Sequence, residues 1–182
     1  MEGEVGIMSS LEVLLAKDEI REVTARYCFA IDLVDPELFL TCFHPDAVLD
    51  YGFFTVDPKT FAETSMKGNL MYETSHHRIA TQIIKVNGEE ARSITYVRAI
   101  HAGEKKPEGT MTDLIIYARY FDKWEKRDGA WKIAYRSAVI DWNATHPGTV
   151  SWTSDMFAPC ADRRMLRDGA DDIAYQVFNW GE

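Results

Sequence analysis

Residues 9–36, SSLEVLLAKDEIREVTARYCFAIDLVDP, decide the fold, because they encode one long amphipathic helix with both ends marked. Ser9-Ser10-Leu11-Glu12 has the S-x-x-E form of a capping box, in which a hydroxyl and a carboxylate satisfy the free amides of a helix start. Leu15, Ile20, Val23, Tyr27, Ala30 and Val34 then recur at steps of three to five residues. One stripe of a helix over about 11–34 therefore faces a core. Asp35-Pro36 closes the stretch and opens a second, short helix, with Asp as N-cap and Pro where its missing N–H costs nothing. Leu38, Phe39, Cys42 and Phe43 form its expected buried side. Asp57-Pro58 repeats the signal and predicts a third helix to about Leu70, with Phe61 and Met66 inward and a short strand, Ala47 to Tyr51, before it.

Beyond residue 72 the texture changes to alternating β-branched and aromatic residues. Strands are expected near 75–86, 90–102, 111–125 and 130–142, joined at Asn87-Gly88, Gly103–Gly109 and Asp128-Gly129. Asn-Gly and Asp-Gly supply the positive φ of tight hairpins, so neighbouring strands should pair antiparallel. Helices first and a meander afterwards predict an α+β domain: a curved antiparallel sheet wrapped into a cone around the long N-terminal helix, with two shorter helices. Residues 1–182 read as one domain, with a core at 11–142. Residues 143–182, with Pro147, Pro159 and Gly169 before Tyr175, Val177, Phe178 and Trp180, read as an arm with a short helix that covers the cone or a neighbouring subunit.

The chain has 182 residues, 46% of them hydrophobic, with five Trp, eight Tyr and nine Phe. That suffices for a sizeable core and argues against disorder. Twenty-nine acidic against twenty basic residues give a formal charge of -9, which opposes binding to nucleic acid or an anionic membrane. No apolar run approaches the roughly 20 residues that span a bilayer. Glu2 and Glu4 stand where a secretory signal would carry positive charge, so a cytoplasmic protein is expected. Cys28, Cys42 and Cys160 are odd in number and lack metal-knuckle spacing, which makes them packing residues of a reducing compartment. Without a G-x-G-x-x-G, a P-loop, an H-E-x-x-H or a Cys/His cluster, no cofactor and no metal are expected.

Three local patterns, in order, resemble the SnoaL-like branch of the nuclear-transport-factor-2-like superfamily. They are Tyr27-Cys-Phe-Ala-Ile-Asp32 followed nineteen residues later by Tyr51, His76-His77-Arg-Ile-Ala-Thr81 leading into Asn87-Gly88, and Tyr120-x-Asp-x-Trp-x4-Gly-x-Trp131-x4-Arg136. The resemblance covers about 11–142. The branch includes scytalone dehydratase, bile-acid 7α-dehydratase, hexachlorocyclohexane dehydrochlorinase, polyketide cyclases and lyases of lignin-derived diaryl compounds. It implies a cone with an apolar cavity and an Asp that holds a His.

On periodicity alone Asp32 lies at the edge of the apolar face, where a solvated helix-end acid is the ordinary reading; the Tyr-x4-Asp match makes it the candidate partner of a histidine. His76 and His77 are adjacent on a strand, so only one ring enters a cavity. The family's His is commonly followed four residues later by Asn, a spacing that His77 and Thr81 keep. This favours His77 over His76 and makes Thr81 a second polar anchor, although Thr departs from the usual Asn. A carboxylate on Nδ1–H fixes the tautomer and leaves Nε2 as a base. Tyr27 and Tyr51 are the candidate donors to a developing oxyanion or leaving oxygen. Tyr96, Tyr117 and Trp142 are candidate substrate contacts, with ordinary packing as the alternative for each. Arg136 reads as an ion-pair residue, because the catalytic Arg of the bile-acid enzyme falls where this chain has Ile140.

The resulting expectation is a cofactor-independent lyase, a dehydratase or related elimination enzyme, acting on an apolar, ring-bearing, hydroxylated small molecule. C–C cleavage, isomerisation or polyketide cyclisation would use the same base. A non-catalytic ligand-binding or assembly subunit, like the small subunit of ring-hydroxylating dioxygenases, is the alternative. Epoxide hydrolysis would need two acids flanking an Arg, for which there is no clear match. An open curved sheet leaves a face to cover, so a homodimer or homotrimer is expected.

Overall fold

A computed structural model describes residues 8–105, 111–150, 165–167 and 172–177. Its first helix, α1 (Ser10–Leu33), starts at Ser9, whose hydroxyl accepts from Glu12 N–H while the Glu12 carboxylate reaches back to Ser9 N–H at 2.7 Å. It ends at Val34, a buried β-branched residue held at φ 58°. That left-handed turn is costly for valine. The chain adopts it to turn directly into α2 (Pro36–Thr41), capped by Asp35 as its sequence predicts.

Phe43, expected on α2, instead begins strand β1 (Phe43–Asp50), longer than the short strand anticipated. A two-residue strand β2 (Thr55–Val56) comes next. The third helix is broken: α3 (Pro58–Phe61) passes into a π-helical stretch at Ala62–Met66 and a 3₁₀ turn at Asn69–Met71. Phe61 and Met66 are buried nonetheless. The four long strands are β3 (Thr74–Asn87), β4 (Glu90–Lys105), β5 (Met111–Arg127) and β6 (Ala130–Pro147). The last thus runs five residues into the segment expected to be an arm. A short helix, α4 (Ile173–Val177), completes the described chain; its Tyr175 hydroxyl bonds to the Asp35 carboxylate, whereas Val177 is exposed. Phe178, Trp180 and Cys160 lie outside the described residues.

The sheet order is β2-β1-β6-β5-β4-β3. All neighbours are antiparallel except β1 and β6, which run parallel. The curved, unclosed sheet packs its inner face on α1, so Ile20, Val23, Tyr27 and Ile31 share a core with Ile84, Val97, Tyr120, Trp124 and Ile133. Cys28 and Cys42 are part of it, and burial pushes their thiols up to about 12 and about 11, inert packing groups.

An irregularity in β3 selects the histidine that faces the core. Ile79 pairs with Val97 but Thr81 pairs with Tyr96, so Ala80 is an extra residue, a β-bulge. On the turn side, Ile84 and Val86 face inward. Strict alternation from them would point His76 inward; the bulge reverses the parity, so His77 faces the core and His76 is exposed.

Candidate active site

The end of α1 and the start of β3 meet at Asp32, which is 6% exposed. Its Oδ1 accepts from His77 Nδ1–H at 2.7 Å and from the Ser75 hydroxyl at 3.1 Å, and its Oδ2 accepts from the His77 backbone N–H at 2.9 Å. Three donors compensate the loss of water around the carboxylate. Because Nδ1 donates to Asp32, Nε2 is the ring's lone-pair atom, and His77 lines a cavity of about 200 Å³. His101 joins it from β4, its ring edge-on to His77 at 5.3 Å between centroids.

Apart from Ser65 and Asn69, the rest of the described lining is apolar or phenolic. Ile31, Phe54, Phe61, Ile116 and Ile140 form walls, and Val97, Ala99, Ala118 and Ala138 give a low, smooth patch on the sheet. Tyr27, Tyr51 and Tyr120 supply hydroxyls, and those of Tyr27 and Tyr51 are 3.1 Å apart. Burial raises all three phenols well above their ordinary range, so they remain neutral donors. Among the described residues that line the cavity there is no Lys, Arg, Asp or Glu.

Arg136, an ion-pair candidate by sequence, is fully buried against Asp122, with Nε–Oδ1 2.7 Å and Nη2–Oδ2 2.9 Å. Its guanidinium carbon lies 4.1 Å from the ring centres of both Tyr27 and Tyr120. It is a scaffold for the phenols rather than part of the lining. Among the described residues, no group of three His, Cys, Asp or Glu side chains is arranged to hold a metal ion.

Four expected substrate contacts are not at this site. Spacing alone puts Thr81 on the His77 face, but the Ala80 bulge turns it outward, opposite Tyr96. The inward position passes to Gln82, whose amide donates to the hydroxyls of Thr24 at 2.9 Å and Thr95 at 3.1 Å. Tyr96 is half exposed on the outer face. Tyr117 alternates with the cavity residues Ile116 and Ala118, so it also points out, stacked on Trp142 at 4.1 Å under Arg98. Trp142 lies just past a second bulge, where Tyr117 pairs with it and Ala118 with Ile140, which leaves Ile140 in the cavity and Trp142 outside.

Ser75, His101, Tyr120 and Arg167 were not among the site residues that the sequence pointed to. His101 could have been found by alternation along β4, since Ala91, Ser93, Thr95, Val97, Ala99 and His101 are all buried on one face. Arg167, which reaches the back of the dyad from the C-terminal segment, had no signal, because nothing local ties it to Asp32.

Larger hollows exist elsewhere. A groove of about 310 Å³ lies on the outer sheet face around Ile83, Ile94 and Phe121, and a cleft of about 640 Å³ lies between α2, β1 and α3. Neither contains a carboxylate–imidazole pair aimed into an enclosed space, so chemistry rather than size selects the Asp32–His77 cavity.

A family model for the SnoaL-like domain matches residues 12–137. The chain belongs to the SnoaL-like family. No curated protein matches it. Among solved structures, a type 2 hexachlorocyclohexane dehydrochlorinase (LinA) is 19% identical with a TM-score of 0.68, covering 79% of this chain and 97% of its own. A scytalone dehydratase-like protein from Novosphingobium aromaticivorans is 24% identical with a TM-score of 0.65, covering 79% and 94%. Rv3472 of Mycobacterium tuberculosis, of unknown function, is 21% identical with a TM-score of 0.63, covering 90% and 100%. At these identities the likeness establishes the SnoaL-like cone, and with it a family that includes enzymes. No described helix is long and apolar enough to cross a membrane.

Proposed function

We propose that this protein is a cofactor-independent lyase that eliminates water, or a related leaving group, from a neutral, ring-bearing, hydroxylated small molecule. The carrying observation is the 2.7 Å bond from His77 Nδ1 to the buried Asp32 carboxylate at the wall of an apolar cavity. The carboxylate orients the ring and stabilises the imidazolium that forms, so Nε2 takes a proton from carbon next to a carbonyl, or from a phenol. Electron density moves toward the carbonyl oxygen, and a neutral phenol of Tyr27, Tyr51 or Tyr120 donates to it. As the neighbouring hydroxyl departs, the proton held on His77 returns to it and water leaves. Loss of a carbon fragment, or return of the proton at another carbon, would use the same base.

The lining supports the substrate class. With no Lys, Arg, Asp or Glu among the described residues of its lining, the cavity disfavours charged molecules. An engineered apolar cavity near 150 Å³ takes benzene, so roughly 200 Å³ suits a somewhat larger ring compound. An assembly or transport role would be favoured by a filled interior or by separation of Asp32 from His77; neither applies here. Exposed Ile83, Tyr96 and Trp142 on the outer sheet face support self-association as a dimer or trimer, to be read by sedimentation; a monomer at all concentrations removes that part.

The test is a screen of aromatic and polycyclic alcohols for elimination, and for exchange of the acidic C–H in deuterated water, with wild type, Asp32→Asn and His77→Ala. Each variant is expected to lose about 10²- to 10⁴-fold in kcat, the usual worth of a positioned base. Full turnover in both variants, with unchanged circular dichroism, would overturn the mechanism.

A further inference from the structure

Asp32 and Ser75 are held from behind by a residue that lies beyond the family match, which ends at 137. Arg167 is half-buried, and all three of its guanidinium nitrogens donate. Nε donates to the Asp32 backbone carbonyl at 2.9 Å, Nη1 to the carbonyls of Asn69 and Tyr72 at 2.9 Å each, and Nη2 to Ser75 Oγ at 3.2 Å. The short segment carrying it is itself pinned, because Asp172 accepts from Leu166 N–H at 2.8 Å and from Ala174 N–H at 2.9 Å.

The last of the four arginine contacts has a directional consequence. A guanidinium has no lone pair, so at the Arg167–Ser75 contact the serine oxygen must accept. The serine hydrogen is then turned toward its other neighbour, Asp32 Oδ1 at 3.1 Å. That oxygen is the one bonded to His77 Nδ1.

We propose that Arg167 is a positioning residue for the Asp32–His77 pair: it clamps the Asp32 backbone and sets the direction of the Ser75 hydroxyl, so that the carboxylate is held against the imidazole. The consequence for catalysis rests on the proposed lyase function; the consequence for the geometry of the pair does not. Lysine is a poor replacement, because one ammonium cannot span four acceptors arranged around a planar fork.

The experiment is proton NMR of the full-length protein labelled with ¹⁵N-histidine, following the His77 Nδ1–H and its exchange with solvent. Arg167→Gln and Ser75→Ala are each expected to accelerate that exchange by about tenfold or to broaden the signal away, the scale of one hydrogen bond to a charged group. The double variant should do no more than Arg167→Gln alone, and Arg167→Lys should recover only part of the protection. An unchanged resonance and exchange rate in a folded Arg167→Gln protein overturn the proposal, as do fully additive effects, which would mean that Arg167 does not act through Ser75. Should Arg167→Gln fail to fold, Ser75→Ala decides alone, since it leaves the three backbone anchors of Arg167 in place; unaltered exchange there overturns the proposal as well. With a substrate in hand, Arg167→Gln should lower kcat about tenfold at nearly constant KM. If Asp32→Asn kept full turnover while Arg167→Gln still disturbed the His77 signal, the positioning role would stand and the lyase reading would fall.

Discussion

His101 is buried, and its Nδ1 has no hydrogen-bond partner among the described residues. Burial, chiefly, and the neighbouring His77 bring its pKa down to about 4; Arg167 acts in the same direction, while the Asp32 carboxylate opposes them. The ring is therefore neutral at ordinary pH, a donor or acceptor to substrate. In the unfolded chain the same imidazole titrates near pH 6.5. Between about pH 6.5 and 4 the unfolded state binds the proton and the folded state does not, so this residue makes stability fall as pH falls through that window. Replacing His101 with Leu should flatten the fall: the difference in denaturant-unfolding free energy between wild type and variant should change by on the order of 2 kcal/mol from pH 7 to pH 4. A pH-independent difference would show that the ring takes up its proton as readily in the folded protein as in the unfolded chain. At this scale the sequence was legible where a motif carried the partner, as for Tyr27, Asp32 and Tyr51. His101 and Arg167 take their roles from contacts between distant segments, which no local pattern records.

At the scale of elements, helix starts and hairpin turns were readable because each rests on local chemistry. Ser9, Asp35 and Asp57 cap their helices with their own side chains, and Gly88 and Gly129 take the positive φ their turns need. Bulges were not readable, since an extra residue is stabilised by the partner strand rather than by its own sequence. Yet the bulge at Ala80 decides which histidine enters the cavity. Deleting Ala80 should close the bulge, since Ile79 and Thr81 then pair with Val97 and Tyr96 as consecutive residues and both halves of β3 keep their faces. His77 stays at Asp32, Gln82 at Thr24 and Thr95, and Ile84 in the core. No buried hydrogen bond is given up, so a folded protein that keeps the His77 Nδ1–H signal and comes within about 1 kcal/mol of wild-type stability is expected. Loss of that signal, or of several kcal/mol in urea unfolding, would show that the bulge holds the pair by more than the parity it sets.

For the molecule as a whole, composition and element order were enough for a cone around α1, but not for the parallel contact of β1 with β6, which joins segments some ninety residues apart. That contact brings Leu49 beside Arg136, and so sets the surroundings of the most deeply buried charge in the described structure. Arg136 and Asp122 are both fully buried, and Arg136 lies between the rings of Tyr27 and Tyr120. Removing one member leaves the other charge without a partner in a low-dielectric core, so Asp122→Ala should cost about 3–5 kcal/mol in urea unfolding. An apolar pair of similar volume, Arg136→Met with Asp122→Leu, should recover most of that loss, because neither group then needs solvation. If the ion pair served stability alone, the double variant would also keep its activity. Its position between two cavity phenols predicts otherwise: Tyr27 and Tyr120 lose the planar cation that holds their rings. A stable double variant should therefore lose about tenfold or more in kcat, since misplacing donors by a fraction of an ångström already weakens transition-state contacts. A stable and fully active double variant would reduce Arg136 and Asp122 to filling, and would leave the phenols positioned by packing against Phe39, Phe43 and Phe61 alone.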